Sequence, residues 1–429
     1  MKIVISSDMY WPTINGVSTF SRNLAKGMAD RGHEVLVIAP SQDGDHHEET
    51  DGNYRIIRTA STNFPFYHSQ TATLPDRRKI VGVNIPRVYA KNGFKVSLNP
   101  QAEIRRALDE FQPDIIHNQQ FLMIGQAIFR YAHTHGIPVI HTNHVLPENL
   151  LENLRLIAPF SRPLAGALKH YGVGFLKQFD YVTMPTQLAI DITIKNHPRG
   201  HQITAPVEVV SNGIELARFS PAKPSPEIYK KYKIPSDKPI ISYIGRIDIE
   251  KHCSILVEAF ARIQKLTKSH LLLVGDGTDM ANLRDQVRRL GIARKVTFTG
   301  RIDRDSEDII ELHRVGTVFC MPSPADLQSI VTLEAMACGQ PIVAVNAGAL
   351  AELCHTGKNG FLCEKDNVDQ IAEGLYELTT DPVLRAKFSK ESLRIAKTHD
   401  ITHTLDRFEE IYNSIIKPSK SPSTETPKK

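Results

Sequence analysis

The chain has 429 residues, of which 41% are hydrophobic and 23% charged, and a formal net charge of +5. That length exceeds one ordinary core and points to two domains. The composition is that of a globular protein, and so small a charge does not indicate nucleic-acid binding, which usually shows a concentrated basic face.

In chain order, Lys2–Ser7 is a short apolar run of the kind that forms a buried parallel strand. A turn-rich loop, Tyr10-Trp11-Pro12-Thr13-Ile14-Asn15-Gly16, follows it. Val17, Phe20, Leu24 and Met28 then repeat at helical spacing, and Gly32 ends the helix. Glu34–Ala39 is the next strand, completing a β-α-β unit. Further strands are predicted at 114–117, 138–141, 180–184 and 207–210. The segment 221–226 carries three prolines and reads as a linker or extended edge. After it the pattern restarts: a strand at 239–245, a helix at 254–267, a strand at 270–275 and a helix at 279–290. Strands at 295–299, 318–321 and 341–345 follow. Residues 404–416 form one more amphipathic helix, and the Ser-, Pro-, Thr- and Lys-rich tail 417–429 is expected to be disordered.

Cys253, Cys320, Cys338, Cys354 and Cys363 all lie in the second half and form no C-x-x-C pair. Free thiols in a reducing compartment explain them better than disulfides or a zinc site. The first apolar run is too short for a signal peptide, and no stretch is long enough for a membrane span. The chain is therefore expected to be cytoplasmic, with contact at the inner face of the membrane left open.

Doubly wound sheets bind ligands beyond the carboxyl ends of their strands, so motifs placed there carry the functional reading. The strongest runs from Met321 to Val343. A strand ends at Met321, Asp326 sits in the following turn, and a helix starts near Ser329 and contains Glu334. The free N–H groups and dipole of such a helix start favour a diphosphate. Asp326 can accept from sugar hydroxyls and Glu334 from a ribose. Spacing alone equally fits an N-cap aspartate and a solvated glutamate.

The pattern Pro322-Ser-x-x-Asp326-x7-Glu334-Ala-Met-Ala-x-Gly339-x-Pro341 resembles the E-x7-E signature of the retaining family-4 glycosyltransferases, which have the GT-B fold. The resemblance covers residues 1 to about 416 and includes several motifs in the family's order. It implies an α/β chain of two Rossmann-like doubly wound domains facing a central cleft: an acceptor domain at 1–215, a nucleotide-sugar donor domain at 216–400, and a crossover helix at 401–416 returning toward the first domain. Asp326 replaces the usual Glu. Leu327-Gln328-Ser329 replaces the usual Phe-Gly and is similar to a variant found in glycolipid-forming members.

Ile244-Gly245-Arg246-x4-Lys251 matches the family's Gly-Arg-x4-Lys motif. The match implies that both cations grip the phosphates; alone, the segment reads as a mixed-charge surface loop. His141, ending its strand before Thr142, matches the family's His-Thr and implies a role in orienting the donor sugar. The catalytic candidates are thus His141, Arg246, Lys251 and Asp326. Donor contacts are expected from Gly16, Gly245, Gly275, Arg301, Gln328, Ser329, Ile330 and Glu334. Acceptor contacts are expected from Tyr10, Trp11, His117, Asn143, His144 and Glu148, although core or rim packing suits Tyr10 and Trp11 equally.

The resemblance further implies a retaining hexosyl transfer from a UDP- or GDP-linked donor, with no metal and no cofactor. The acceptor is expected to be a membrane glycolipid precursor or a cell-envelope glycan, with no nucleic acid involved. A cationic, apolar stretch at 164–179 suits either peripheral membrane contact or core packing. Two rival readings on the same fold are a nucleotide-sugar epimerase and a non-catalytic nucleotide-sugar-binding protein.

Overall fold

A computed structural model describes residues 1–13, 15–63, 71–80, 83–90, 95–144, 161–324 and 327–416. Two sheets organise it. The first takes its strands from β1 (Lys2–Ser6), β2 (Glu34–Pro40), β3 (His47–Asp51) and β4 (Tyr54–Thr59). Between this group and the next lie four strands outside that sheet: β5 (Thr62–Asn63), β6 (Thr71–Ile80), β7 (Val83–Ala90) and β8 (Lys95–Val96). The first sheet resumes with β9 (Ile115–Asn118), β10 (Val139–Thr142), β11 (Tyr181–Met184) and β12 (Val207–Val209). Its order is β12-β11-β10-β9-β1-β2-β4-β3, parallel except for the β3–β4 hairpin.

The second sheet holds β13 (Ile240–Ile244), β14 (His270–Val274), β15 (Val296–Gly300), β16 (Val318–Met321), β17 (Ile342–Val345) and β18 (Gly360–Cys363). It is parallel throughout, in the order β15-β14-β13-β16-β17-β18. Parallel strands need crossover connections, and helices supply them on both faces, so β9, β10, β13, β14, β16 and β17 are buried along their whole length. β1 shows the consequence: Ile3 and Ile5 join one core cluster and Val4 the other, because successive side chains point to opposite faces.

The β3–β4 hairpin, β5–β8 and β18 are absent from the sequence expectation. β3 reads His-Glu-Glu-Thr-Asp, with its middle residues exposed. An edge strand facing water carries no buried apolar alternation to detect. The linker at 221–226 leads directly into a short helix, Pro226–Tyr232, with proline at its first position.

The last helix, Ile401–Ile415, leaves the second half of the chain and packs on the first domain. Asp400 caps it, accepting from the Thr402 N–H. Leu405, Phe408, Ile411 and Tyr412 lie in one cluster with Phe20, Leu24 and Met28. Gly27 permits this contact, since a Cβ there would stand 2.5 Å from Leu405 Cδ1. Arg31 pairs with both Asp406 and Glu409 at the helix flank. Tyr412 Oη and His117 Nδ1 are 2.6 Å apart in the buried interior. Tyr412→Phe is therefore expected to cost about 1 kcal/mol by leaving His117 short of a partner, readable as a lowered urea midpoint.

Helices at the domain junction bring the two halves into contact. Arg22 of the Gly16–Asp30 helix reaches Asp305 with Nη1 at 2.7 and 2.9 Å from the two carboxylate oxygens. Thr186 Oγ1 donates to the Leu327 carbonyl at 3.0 Å, and the Leu188 N–H donates to Glu352 at 2.8 Å.

Candidate active site

On the second domain, β13, β14 and β16 end side by side, and three loops leave their carboxyl edge. β16 ends at Met321, and the helix Ile330–Ala337 starts beyond the loop. Ser329 caps that helix, its Oγ accepting from the Thr332 N–H and from Thr332 Oγ1 at 2.7 Å. Ile330 is its first residue. Asp326 lies outside the described residues. Lys251 belongs to the loop after β13, and its Nζ stands 3.3 Å from Ser323 Oγ in the loop after β16. A cation from one loop thus meets the loop that feeds a helix N-terminus, an arrangement suited to an anionic group.

Gly245 and Gly275 let the first two loops meet. Gly275 has φ +134, and a Cβ there would lie 1.9 Å from the Gly245 carbonyl oxygen, so a side chain at Gly275 would wedge the loops apart. Arg246 turns back within its own loop: it pairs with Asp248 and, at 2.7 Å, with Glu250. Arg301, just past β15, is exposed.

Glu334 was expected to face a ribose. It is 1% exposed and sits on the helix side that packs inward. Arg304 forms an ion pair with it, and His313 Nε2 lies 3.3 Å from its Oε2 without hydrogen-bond alignment. Burial pushes the carboxyl up, but the Arg304 charge and His313 outweigh it and hold it below its ordinary value. The carboxylate is thus charged and covered by Arg304.

Gln328 was expected at the donor. Its side chain instead ties the two halves together. Oε1 accepts from the Asn212 N–H at 2.7 Å, and Nε2 donates to the Pro185 carbonyl at 3.2 Å and to Ser211 Oγ at 3.1 Å. Its amide is saturated by the junction between the domains, so only its backbone remains for a ligand.

On the first domain, β1, β9 and β10 end together. Gly16 begins the first helix with no atom within 4 Å of its ideal Cβ position, under an Asn15 cap that accepts from the Ser18 N–H at 2.8 Å. His141 is fully buried, stacked on Phe179 at 4.7 Å between centroids. Burial, with a smaller contribution from His144, pushes its imidazole down to about 3, so the ring is neutral. Its tautomer follows from its neighbours. The Gln120 carbonyl, which can only accept, lies 2.6 Å from Asn118 Nδ2, and Ser6 Oγ donates to Asn118 Oδ1 at 2.7 Å. Asn118 Nδ2 therefore donates to His141 Nδ1 at 3.0 Å, and the ring proton resides on Nε2. His141 is a neutral donor and not a base.

His144 Nε2 stands 2.9 Å from Gln119 Oε1, and burial pushes its ring down to about 3 as well. Asn143 is buried, its N–H donating to the Thr183 carbonyl at 2.9 Å. Asp8, 2% exposed, accepts from the Ile124 N–H at 3.1 Å, and burial lifts its carboxyl to about 6.

Two acceptor expectations change. His117 spends both ring nitrogens inside the fold, on Tyr412 Oη and on Thr142 Oγ1, each at 2.6 Å. Tyr10 is 1% exposed with its hydroxyl 2.9 Å from that of Tyr54, so it is core. Glu148 lies outside the described residues. Trp11 stays partly exposed, with the Arg22 guanidinium 4.5 Å over its ring. It lines a cavity of about 450 Å³ with Arg22, His47, Asp51 and Arg58. In the 164–179 stretch, Val173, Phe175, Leu176 and Phe179 are buried in the core. Among the described residues, no helix is long and apolar enough to cross a membrane, and no group of three or more His, Cys, Asp or Glu is placed to hold a metal.

Asp8, Asn118 and Gln120 had no place in the sequence reading. A signal was available: Asn118-Gln119-Gln120 is a polar run directly after a buried strand, at a ligand-binding edge.

Two family descriptions match in tandem: "Glycosyltransferase Family 4" over residues 14–218 and "Glycosyl transferases group 1" over residues 224–394. The alpha-monoglucosyldiacylglycerol synthase of Streptococcus pneumoniae is 28% identical over 353 residues, covering 80% of this chain and 71% of that one. The N-acetyl-alpha-D-glucosaminyl L-malate synthase of Bacillus anthracis is 23% identical over 430 residues, 98% of this chain and 99% of that one. Among solved structures, sucrose-phosphate synthase from Thermosynechococcus elongatus superposes with a TM-score of 0.73 at 19% identity, over 96% of this chain and 98% of the other. Anabaena HepE in complex with UDP and glucose superposes with a TM-score of 0.70 at 20% identity, over 97% and 100%. At such identities these likenesses show the fold, which is the GT-B arrangement of two Rossmann-like domains.

Proposed function

This chain belongs to the family-4, group 1 glycosyltransferases, whose two descriptions span residues 14–218 and 224–394, and from that premise we propose that it is a retaining, metal-independent hexosyltransferase. It moves a hexose from a UDP- or GDP-linked donor to a membrane glycolipid precursor or cell-envelope glycan at the cytoplasmic face of a membrane. Residues 1–215 receive the acceptor and 216–400 the nucleotide sugar. The observation that carries this reading is the approach of Lys251 Nζ to Ser323 Oγ, 3.3 Å, in the loop that leads to the Ile330–Ala337 helix. Pyrophosphate departure concentrates negative charge, and a fixed cation with a helix N-terminus stabilises it in the transition state.

In this mechanism the glycosidic bond to the leaving phosphate lengthens first. The acceptor oxygen approaches the anomeric carbon from the same face, and its proton passes to the departing phosphate oxygen. Arg246 and Lys251 hold the phosphates, while Asp326 and the neutral Nε2–H of His141 orient the sugar. The Gly16 and Gly275 loops and the backbone at 328–330 approach the donor closely, with Arg301 at the base. For Glu334 to reach the ribose, Arg304 must give up its pairing or bridge the two. The HepE complex with UDP and glucose supports UDP-glucose as the first donor to test. The lipid product in the pneumococcal relative's name supports a diacylglycerol-based lipid as the first acceptor.

Transfer from an α-linked donor is expected to give an α-glycoside by NMR of the product, at a rate unchanged by EDTA. A β-product rejects retention, and loss of activity restored by a divalent ion rejects metal independence.

A further inference from the structure

At the carboxyl ends of β1, β9 and β10, Asp8, Gln120 and His141, like Gln119 with its Nε2, are buried side chains that each commit one polar atom to the fold and leave the other unpartnered among the described residues. Asp8 uses Oδ1 to accept from the Ile124 N–H, and its Oδ2 bonds nothing. Gln120 must turn Oε1 to the Met9 N–H, 2.8 Å away, because a backbone N–H only donates. Its Nε2 is then the orphan. His141 takes the Asn118 amide on Nδ1, and its Nε2–H is the orphan. The three residues are 2%, 3% and 0% exposed.

Buried polar atoms without partners are rare. Three of them at the carboxyl ends of adjacent strands, where a doubly wound sheet receives ligands, form one set. The set comprises one acceptor and two donors. A hydroxyl both gives and takes a hydrogen bond, so neighbouring hydroxyls of a hexose complement it. An acyl tail offers nothing to these atoms, and a phosphate would meet the Asp8 carboxylate. The loop holding Gln120 is pinned from behind: a Cβ at Gly125 would lie 2.1 Å from the Gln120 carbonyl.

We infer that Asp8 and Gln120 join His141 in a hydroxyl-binding subsite for a hexose, Asp8 accepting from one hydroxyl while Gln120 and His141 donate to its neighbours. The inference rests on the transferase reading and adds two residues to it.

The test titrates the full chain with UDP-glucose, UDP-N-acetylglucosamine and GDP-mannose, each against its bare nucleotide. A second arm follows free glucose and mannose on nucleotide-saturated protein by saturation-transfer NMR. Asp8→Asn and Gln120→Glu are the variants. Each keeps the acceptor that serves Ile124 or Met9 and inverts the orphan atom. Both are expected to bind bare nucleotide as the wild type does, which also reports that they are folded. Both are expected to lose about tenfold or more in affinity for the hexose-bearing ligand. Loss in the nucleotide-sugar arm assigns the hexose to the donor, and loss in the free-sugar arm assigns it to the acceptor. Hexose binding unchanged in both variants overturns the subsite and leaves three internal water sites. Failure of every nucleotide to bind the wild type overturns the transferase reading itself.

Discussion

Lys251→Ala is expected to lower turnover by about 10²–10³-fold, the usual loss when one preorganised charge facing a transition state is removed. Lys251 lies in a short turn of 3₁₀ helix, Ile249–Lys251, at the rim of the second domain, and none of that turn is core. Its removal therefore tests charge with little cost to the fold. Lys251→Arg keeps the cation but changes its reach, and is expected to retain an intermediate rate. Arg246→Ala should act in the same direction, although Arg246 already shares its guanidinium with Asp248 and Glu250. Steady-state rates with a nucleotide-sugar panel decide the matter. Turnover within twofold of wild type for Lys251→Ala removes it from the mechanism, and with it the observation on which the proposed function stands.

Acidification to pH 5 is expected to destabilise the first domain by about 2 kcal/mol. His141 and His144 are held neutral, with folded values near 3 against an ordinary 6.5. Below pH 6.5 the unfolded chain takes up protons that the folded chain refuses, so stability falls as pH falls from about 6.5 toward 3. At pH 5 His141 alone accounts for about 2 kcal/mol, and His144, which keeps some solvent exposure, for less. Asp8 works in the opposite sense. Its folded value, near 6 against an ordinary 3.8, makes the folded chain the better proton acceptor in that window, returning about 1.4 kcal/mol at pH 5. His117 is also held well below its ordinary value by burial and adds to the loss. Urea midpoints at pH 7.5 and 5.0 measure the balance. His144→Gln should flatten the dependence, Asp8→Asn should steepen it, and a midpoint independent of pH contradicts the buried neutral histidines.

The alternation of strand and helix was legible because a parallel strand buried on both faces is mostly apolar along its length. β1, β2, β13, β14, β16 and β17 all announce themselves in this way. β3 did not, because an exposed edge strand can be wholly polar. Gly275 was readable as a turn glycine, while the reason it must be glycine, the Gly245 carbonyl beneath it, comes from another strand. Tyr10 and His117 show the reverse error. Each stands at the right place in the chain for a cleft residue, yet Tyr54 and Tyr412, distant in sequence, claim their polar atoms.

The sequence by itself determined the doubly wound architecture, the family and the loops where its ligands belong, because strand periodicity and short motifs are local properties. The tertiary structure alone decided which of those side chains remain available to a ligand. It spent the Gln328 amide on the domain junction, covered Glu334 with Arg304, and set the proton of His141 on Nε2 through Asn118. Hydrogen-bond capacity is limited and is settled by whichever partner packs nearest, and that partner is seldom a neighbour in the chain.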